Sequence, residues 1–227
     1  MNVAEEMREH LEKKLLPFWK GLKDQEHGGF YGFMDTNGNV DKQAAKGCIL
    51  NSRILWFFSN AWMVLQDQGL KEYADHAYRF LKEHCLDGQR GGVYWSVTYD
   101  GKPEDTTKHT YNQAFAIYAL SSHYAASGDG EALELARELQ RVIEIKCFDE
   151  YGYKEALDID FQPADNDKLS ENGVMADRTM NTLLHVFEAY TELLRVSGDE
   201  TAAVKLRWMM DLIAEKIYNP DLHRQEV

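Results

Sequence analysis

Apolar residues recur every three to four positions over long stretches of this chain, separated by short glycine-rich segments. The spacing predicts helices over about 2–20, 44–68, 70–86, 107–127, 129–146, 175–197 and 199–218. Gly69, Gly128 and Gly198 each follow an apolar periodic run, where a left-handed cap is expected. Asp129 and Asp199 then open the next helix as N-caps. Gly-Asp at 128–129 and 198–199 reads as a tight helix–helix turn used twice, with a third turn of this kind around Gln68-Gly69.

Between the helix pairs lie glycine-aromatic segments. Gly28–Phe33 runs into Asp35-Thr36-Asn37-Gly38-Asn39, and Gly91–Val97 runs into Tyr99-Asp100-Gly101-Lys102. Both read as short hairpins around an Asn-Gly or Asp-Gly turn, and Asp149–Tyr153 holds the corresponding place after the fifth helix. The chain thus repeats a loop and a pair of helices at roughly 60–65 residues per unit. Paired helices that bury their faces only against neighbours imply stacking, and its closed form is an α/α toroid with one helix of each pair inside. The expected class is all-α, of (α/α)6-barrel type with short β-hairpin loops. A closed ring of six pairs needs about twelve helices and the pattern supplies about seven. The expectation is one partial α/α-barrel domain over 1–227, about the first half to two-thirds of a longer architecture. Its tail, 218–227, resembles another loop entering a hairpin. An interrupted ring would expose apolar flanks near Trp208, Met209 and Leu212, so self-association is expected.

The helix over Met180–Tyr190 carries polar groups where a helix normally packs. Asn181 and His185 are one turn apart on one face, Glu188 sits near it, and Leu184, Phe187 and Leu194 read as the apolar stripe. An amide above an imidazole on a largely buried helix can hold a polyhydroxylated ligand and move protons near pH 7; the structural alternative is a core histidine bonded to a carbonyl. Five Trp and twelve Tyr supply rings on which sugars stack, though rings also fill cores. A net charge of −13 argues against nucleic acid and anionic membranes. With no signal peptide, no bilayer-length apolar run and no paired cysteine spacing among Cys48, Cys85 and Cys147, the chain reads as cytoplasmic with reduced, packed thiols. No metal motif is visible.

Three segments then fall into place together. Lys46–Trp56, around Arg53, resembles the arginine-bearing inner helix of the N-acylglucosamine 2-epimerase superfamily. Thr107–Tyr118 resembles its second inner-helix motif and Asn181–Tyr190 its third, with wording closest to the cellobiose 2-epimerases. The resemblance runs nearly the whole length and implies an isomerase of reducing sugars that uses neither cofactor nor metal. It implies ring opening, removal of the C2 proton to give a cis-enediol, and return of the proton to the opposite face. It places Arg53, Tyr111, Asn181 and His185 at the sugar's reducing end; helical spacing adds Glu188 beside them, and residue chemistry puts Arg53 and His185 forward as the catalytic pair.

These roles suit the residue types. Arg53 offers a charged planar set of donors to an oxyanion, or alternatively a structural salt bridge. Tyr111 can donate to a hydroxyl while its ring packs, and Asn181 both donates and accepts unless it merely caps the helix start. His185 can polarise the C1 oxygen. His109 reads as an exposed residue near a helix start. The resemblance also places the principal acid/base histidines in a C-terminal half that this sequence does not include, so part of the machinery would lie elsewhere. Rival readings are an N-acylglucosamine 2-epimerase, a mannose isomerase, an inactive carbohydrate-binding module, and a glycoside hydrolase needing two paired carboxylates, with Asp105, Glu155 and Asp177 as candidate acids.

Overall fold

The structure is a computed structural model that describes residues 2–166 and 176–225. Its helices are α1 (Val3–His10), α2 (Leu16–Gly21), α3 (Cys48–Leu65), α4 (Lys71–Phe80), α5 (Thr110–Ser127), α6 (Gly130–Val142), α7 (Met180–Ser197) and α8 (Glu200–Leu212). A single π turn joins α1 to α2 over Leu11–Leu15, and π turns end α4, α6 and α8 over Leu81–Cys85, Ile143–Cys147 and Ile213–Ile217. α5 packs between α3 and α7, and each of these three carries its own partner, α4 behind α3, α6 behind α5 and α8 behind α7. This is the expected α/α arrangement of inner and outer helices.

Burial explains which helix lies inside. α5 buries residues on most of its circumference, from Thr110 and Asn112 to Ser122 and His123, leaving only the stripe of Tyr111, Phe115 and Tyr118 partly open. α6 buries only one stripe, Ala132, Leu133, Ala136, Leu139 and Gln140. The left-handed caps fall at Gly128 (φ 73) and Gly198 (φ 66), and Asp129 and Asp199 cap α6 and α8 through Glu131 N and Ala202 N. Gly69 is not a left-handed cap. α3 ends one turn earlier, on Gln66 (φ 54), whose N–H reaches Trp62 O, and Gly69 instead lies in a short 3-10 turn capped by Asp67. Predicted helix starts near 44 and 107 also shift, to 48 and 110, because the residues before them are extended. Residue 175 lies outside the described residues, and 176–179 precede α7 without helix.

The hairpins form as expected: β1 (Phe33–Met34) pairs antiparallel with β2 (Val40–Asp41), β6 (Phe148–Asp149) with β7 (Gly152–Tyr153), and β8 (Tyr218–Asn219) with β9 (Arg224–Gln225). The second hairpin, β4 (Ser96–Val97) with β5 (Pro103–Asp105), gains a third strand, β3 (Lys46–Gly47), from the preceding repeat. All three cysteines are free and buried. The flank expected at Trp208, Met209 and Leu212 is largely covered: Met209 is buried, and Trp208 packs edge-on against Phe148 and Tyr153. Exposed apolar side chains on this helix are Val204 and Met210 instead, because its buried stripe runs through Ala202, Leu206 and Met209.

Ion pairs, buried in the first two repeats and half-buried in the third, tie each inner helix to the loop before it. Lys46 Nζ donates to Asp24 Oδ2 at 2.6 Å and to Gly28 O at 2.7 Å. One repeat on, Lys108 Nζ donates to Asp87 Oδ2 and to Gly91 O, both at 3.0 Å. In the third, Arg178 Nη2 reaches both oxygens of Asp149, at 2.8 and 2.6 Å. The same aspartates accept backbone N–H groups two or three residues ahead, and Asn219 does so at the start of a fourth loop. Burial pushes the Asp24 and Asp87 carboxyls up, but the lysine ammonium groups and these N–H donors outweigh it and hold both below the usual carboxylate range.

Two histidines give the fold an acid limit. His76 donates from Nε2 to Gly29 O at 2.8 Å, and His123 stacks on Tyr78 with Ser59 Oγ at 3.4 Å. Burial depresses the pKa of both. The unfolded chain takes up these protons first, so stability rises with pH in this window and falls as pH drops below about 6.5. Thermal melts at constant ionic strength should show Tm declining between pH 7 and pH 5; a flat Tm across that range contradicts the assignment.

Candidate functional site

The clamps set a common register for the three inner helices. Counting from Lys46, Lys108 and Arg178, the third residue on is Ile49, Tyr111 or Asn181, and the seventh is Arg53, Phe115 or His185. The tenth is Trp56, Tyr118 or Glu188. These offsets fall on one face of a helix, and that face is where the sequence-derived candidates meet.

The Arg53 guanidinium lies 5.4 Å over the Phe115 ring, and Phe115 lies 4.7 Å from the His185 ring, centroid to centroid. Tyr111 meets His185 edge-on at 4.8 Å and Phe115 at 4.9 Å. His185 Nδ1 and Glu188 Oε2 are 2.7 Å apart, so a proton on Nδ1 is shared with the carboxylate and Nε2 is left to face outward. Below them Trp56 stacks on Tyr118 at 5.7 Å. A cavity of about 240 Å³ is lined by Ser52, Arg53, Trp56, Phe115, Tyr118, His185 and Glu188. Burial raises the Tyr111 hydroxyl above its ordinary value although the nearby Arg53 charge opposes it, so it stays protonated and able to donate.

Arg53, Tyr111, His185 and Glu188 are thus brought together. Asn181 stands one turn ahead of His185 on the same face, exposed at the start of α7. That face is not the buried one. α7 turns Leu183, Val186, Ala189, Tyr190 and Leu193 into the core, while Leu184 is 43% exposed and the Glu188 side chain 47% exposed. The apolar stripe is therefore one residue away from Leu184, with Phe187 and Leu194 only partly buried at its margin. Arg53 is exposed and makes no ion pair among the described residues, which removes the structural salt bridge as its explanation.

His109 is not exposed: it is buried at the N-terminus of α5 with its ring 4.7 Å from Trp95. Two of the three carboxylates considered for glycoside hydrolysis, Glu155 and Asp105, have local structural partners. Glu155 is buried and accepts the Thr179 and Thr182 hydroxyls at 2.7 and 2.6 Å, pinning the start of α7, and Asp105 accepts from Thr107. Sequence reasoning missed Phe115 and Tyr118 and took Trp56 only as an apolar flank. Aligning the three repeats on their clamp cations would have put all three in the row. Among the described residues no group of three His, Cys, Asp or Glu side chains is placed to hold a metal ion, and no helix is long and apolar enough to cross a membrane.

A sequence model of the N-acylglucosamine 2-epimerase (GlcNAc 2-epimerase) family matches residues 6–223. The chain belongs to this family. Among its curated relatives, a cellobiose 2-epimerase of Eubacterium cellulosolvens is 52% identical over 96% of this chain and 58% of its own length. A cellobiose 2-epimerase of Ruminococcus albus is 51% identical over 99% of this chain and, again, 58% of its own. In structure the chain is similar to a sugar epimerase from a ruminal bacterium, with 51% identity and a TM-score of 0.95 over 97% of this chain and 57% of that one. A D-mannose isomerase shares the fold at 21% identity and a TM-score of 0.77. This member of the N-acylglucosamine 2-epimerase family therefore spans a little under three-fifths of the length of the relatives it matches, and what it describes is the corresponding part of an (α/α)6 barrel.

Proposed function

We propose that this chain forms one wall of a sugar 2-epimerase active site, acting on the reducing-end glucose of cellobiose or a related β-1,4-linked disaccharide. The observation that carries the reading is the convergence of Arg53 and the His185–Glu188 pair around one cavity, with Tyr111 packed edge-on against His185, in a chain half identical to cellobiose 2-epimerases. Epimerisation through a cis-enediol opens the ring, removes the proton on C2 and leaves negative charge on the enediolate oxygens. Rotation about C2–C3 and return of the proton to the opposite face gives the mannose configuration. Arg53 supplies a fixed positive charge for the developing oxyanion. Tyr111, kept protonated, and Asn181 hydrogen-bond sugar hydroxyls. His185, its Nδ1 engaged by Glu188, presents Nε2 to the C1 oxygen during ring opening.

The test is cellobiose incubated with this protein in heavy water and followed by proton NMR at C2. Loss of the C2 signal with a new mannose-configured product is the expected result. Binding of cellobiose without exchange would replace the enzyme by a second reading, a carbohydrate-binding module, for which Arg53 and the aromatic residues around the cavity supply the contacts. Neither binding nor exchange with cellobiose, N-acetylglucosamine or mannose would overturn both. Exchange only with N-acetylglucosamine, or a ketose formed from mannose, would shift the substrate within the family.

A further inference from the structure

We infer that the buried cations Lys46 and Lys108 are positioning residues, setting how far Arg53 on α3 and the Tyr111–Phe115 pair on α5 reach into the site. Each lies two residues ahead of its helix and seven ahead of a row residue, and Arg178 repeats both spacings for α7 and His185. Lys46 and Lys108 are fully buried and their aspartates nearly so. A buried ion pair is a poor way to gain stability, because an apolar pair of similar volume does as well or better. What such a pair supplies that an apolar contact lacks is direction. Each ammonium is held by a carboxylate and a carbonyl at once, and by a ring face: Phe80 at 5.1 Å for Lys46 and Tyr94 at 4.2 Å for Lys108. Sliding the segment by about 1 Å stretches or misaligns both hydrogen bonds together.

A second peg lies five residues beyond each lysine. Asn51 Oδ1 accepts from Phe30 N at 3.1 Å and Gln113 Oε1 accepts from Val93 N at 2.6 Å. The helix is thus fastened on both sides of its first turn to the glycine-aromatic loop before it. Leu183 holds this place in the third repeat, and there Thr179 and Thr182 on Glu155 provide the fastening instead. Three repeats differ in sequence at these pegs and agree in what is pegged, the axial height of the row.

The inference rests on the sugar-site reading for its functional importance, and its test is chosen to stand apart from that reading. The paired replacement Asp87→Asn with Lys108→Met removes both charges without stranding either and keeps an acceptor for the Gln89 and Arg90 N–H groups. Two quantities are measured: the thermal melt, and the nuclear Overhauser effect between the Tyr111 and His185 rings, 4.8 Å apart. A shift of about 1 Å, the scale on which misplacement matters for chemistry, weakens this contact by about three-fold. The expected result is a cooperative melt close to that of the unmodified protein with the Tyr111–His185 signal reduced about three-fold and, where sugar turnover is present, C2 exchange reduced by about 100-fold. A folded double variant with an unchanged signal overturns the inference. Should it fail to fold, Lys108→Arg decides: charge is kept, but a planar head replaces the compact ammonium. A retained melt with a weakened signal supports the positioning role, and an unchanged signal overturns it. Absence of sugar chemistry in the unmodified protein would defeat the functional reading while leaving the ring-to-ring comparison intact.

Discussion

Lys46→Met alone is expected to destabilise this protein by about 3–5 kcal/mol, because it strands the Asp24 carboxylate, only 1% exposed, without its cation. Gly28 O loses its donor in the same step. For a chain of this size the loss corresponds to a fall in Tm of roughly 10 °C or more. The difference from the unmodified protein should also depend on pH in a defined direction. The folded pKa of Asp24 lies below the unfolded value, so its contribution is present above about pH 3.9 and disappears as pH falls through the folded value. Denaturant melts at pH 7 and pH 3 check both points: the gap should be large at the first and smaller at the second. A loss under 1 kcal/mol at pH 7 would contradict the burial and pairing described for this clamp.

Arg53→Ala is the variant with the largest expected effect on chemistry. On the proposed function Arg53 faces a developing oxyanion, where one donor is worth about 10²–10³-fold in rate, so C2 exchange should fall by that factor. Stability should change little. Arg53 is exposed, and what it loses within the protein is its contact with the Phe115 face, worth about 0.5–1 kcal/mol. Arg53→Lys should restore only part of the rate, since a point charge replaces a planar fork of donors. The combination of a near-normal melt and lost exchange separates this residue from Lys46, whose replacement by Met lowers the melt. Exchange retained at more than a tenth of the original rate would remove Arg53 from the chemistry.

The helices were legible because their apolar spacing is long and regular, and two of the three caps because glycine takes a left-handed turn without strain. The third cap misled because Gln66 adopts that conformation itself, a choice that tertiary packing of α3 permits and local sequence does not announce. The strand at Lys46-Gly47 pairs with Ser96-Val97 some fifty positions away, beyond the reach of any local pattern. In the candidate site, Arg53, Tyr111 and His185 were singled out through family-like motifs and Glu188 through its helical spacing, and the structure brings the four together. Phe115 and Tyr118 escaped because an aromatic residue on an apolar helix looks the same whether it faces a core or a cavity. The lysines escaped for the opposite reason: an isolated Lys reads as surface, and only its burial against an aspartate 21 or 22 residues earlier gives it meaning. The polar face of α7 was recognised but assigned to the buried side, since composition identifies an amphipathic helix without saying which neighbour it turns towards.

The clamps also bear on how the chain reaches this shape. They close loops of 22, 21 and 29 residues, each within a single repeat, and the entropy of closing so short a loop grows only slowly with its length. Contacts made between near neighbours in sequence favour rapid folding, and domains emerging from the ribosome organise from the N-terminus onward. The first clamp can close soon after residue 46 has left the exit tunnel, long before His185 has been synthesised. Arg53 would then wait, already at its final height, for the histidine to be delivered to it.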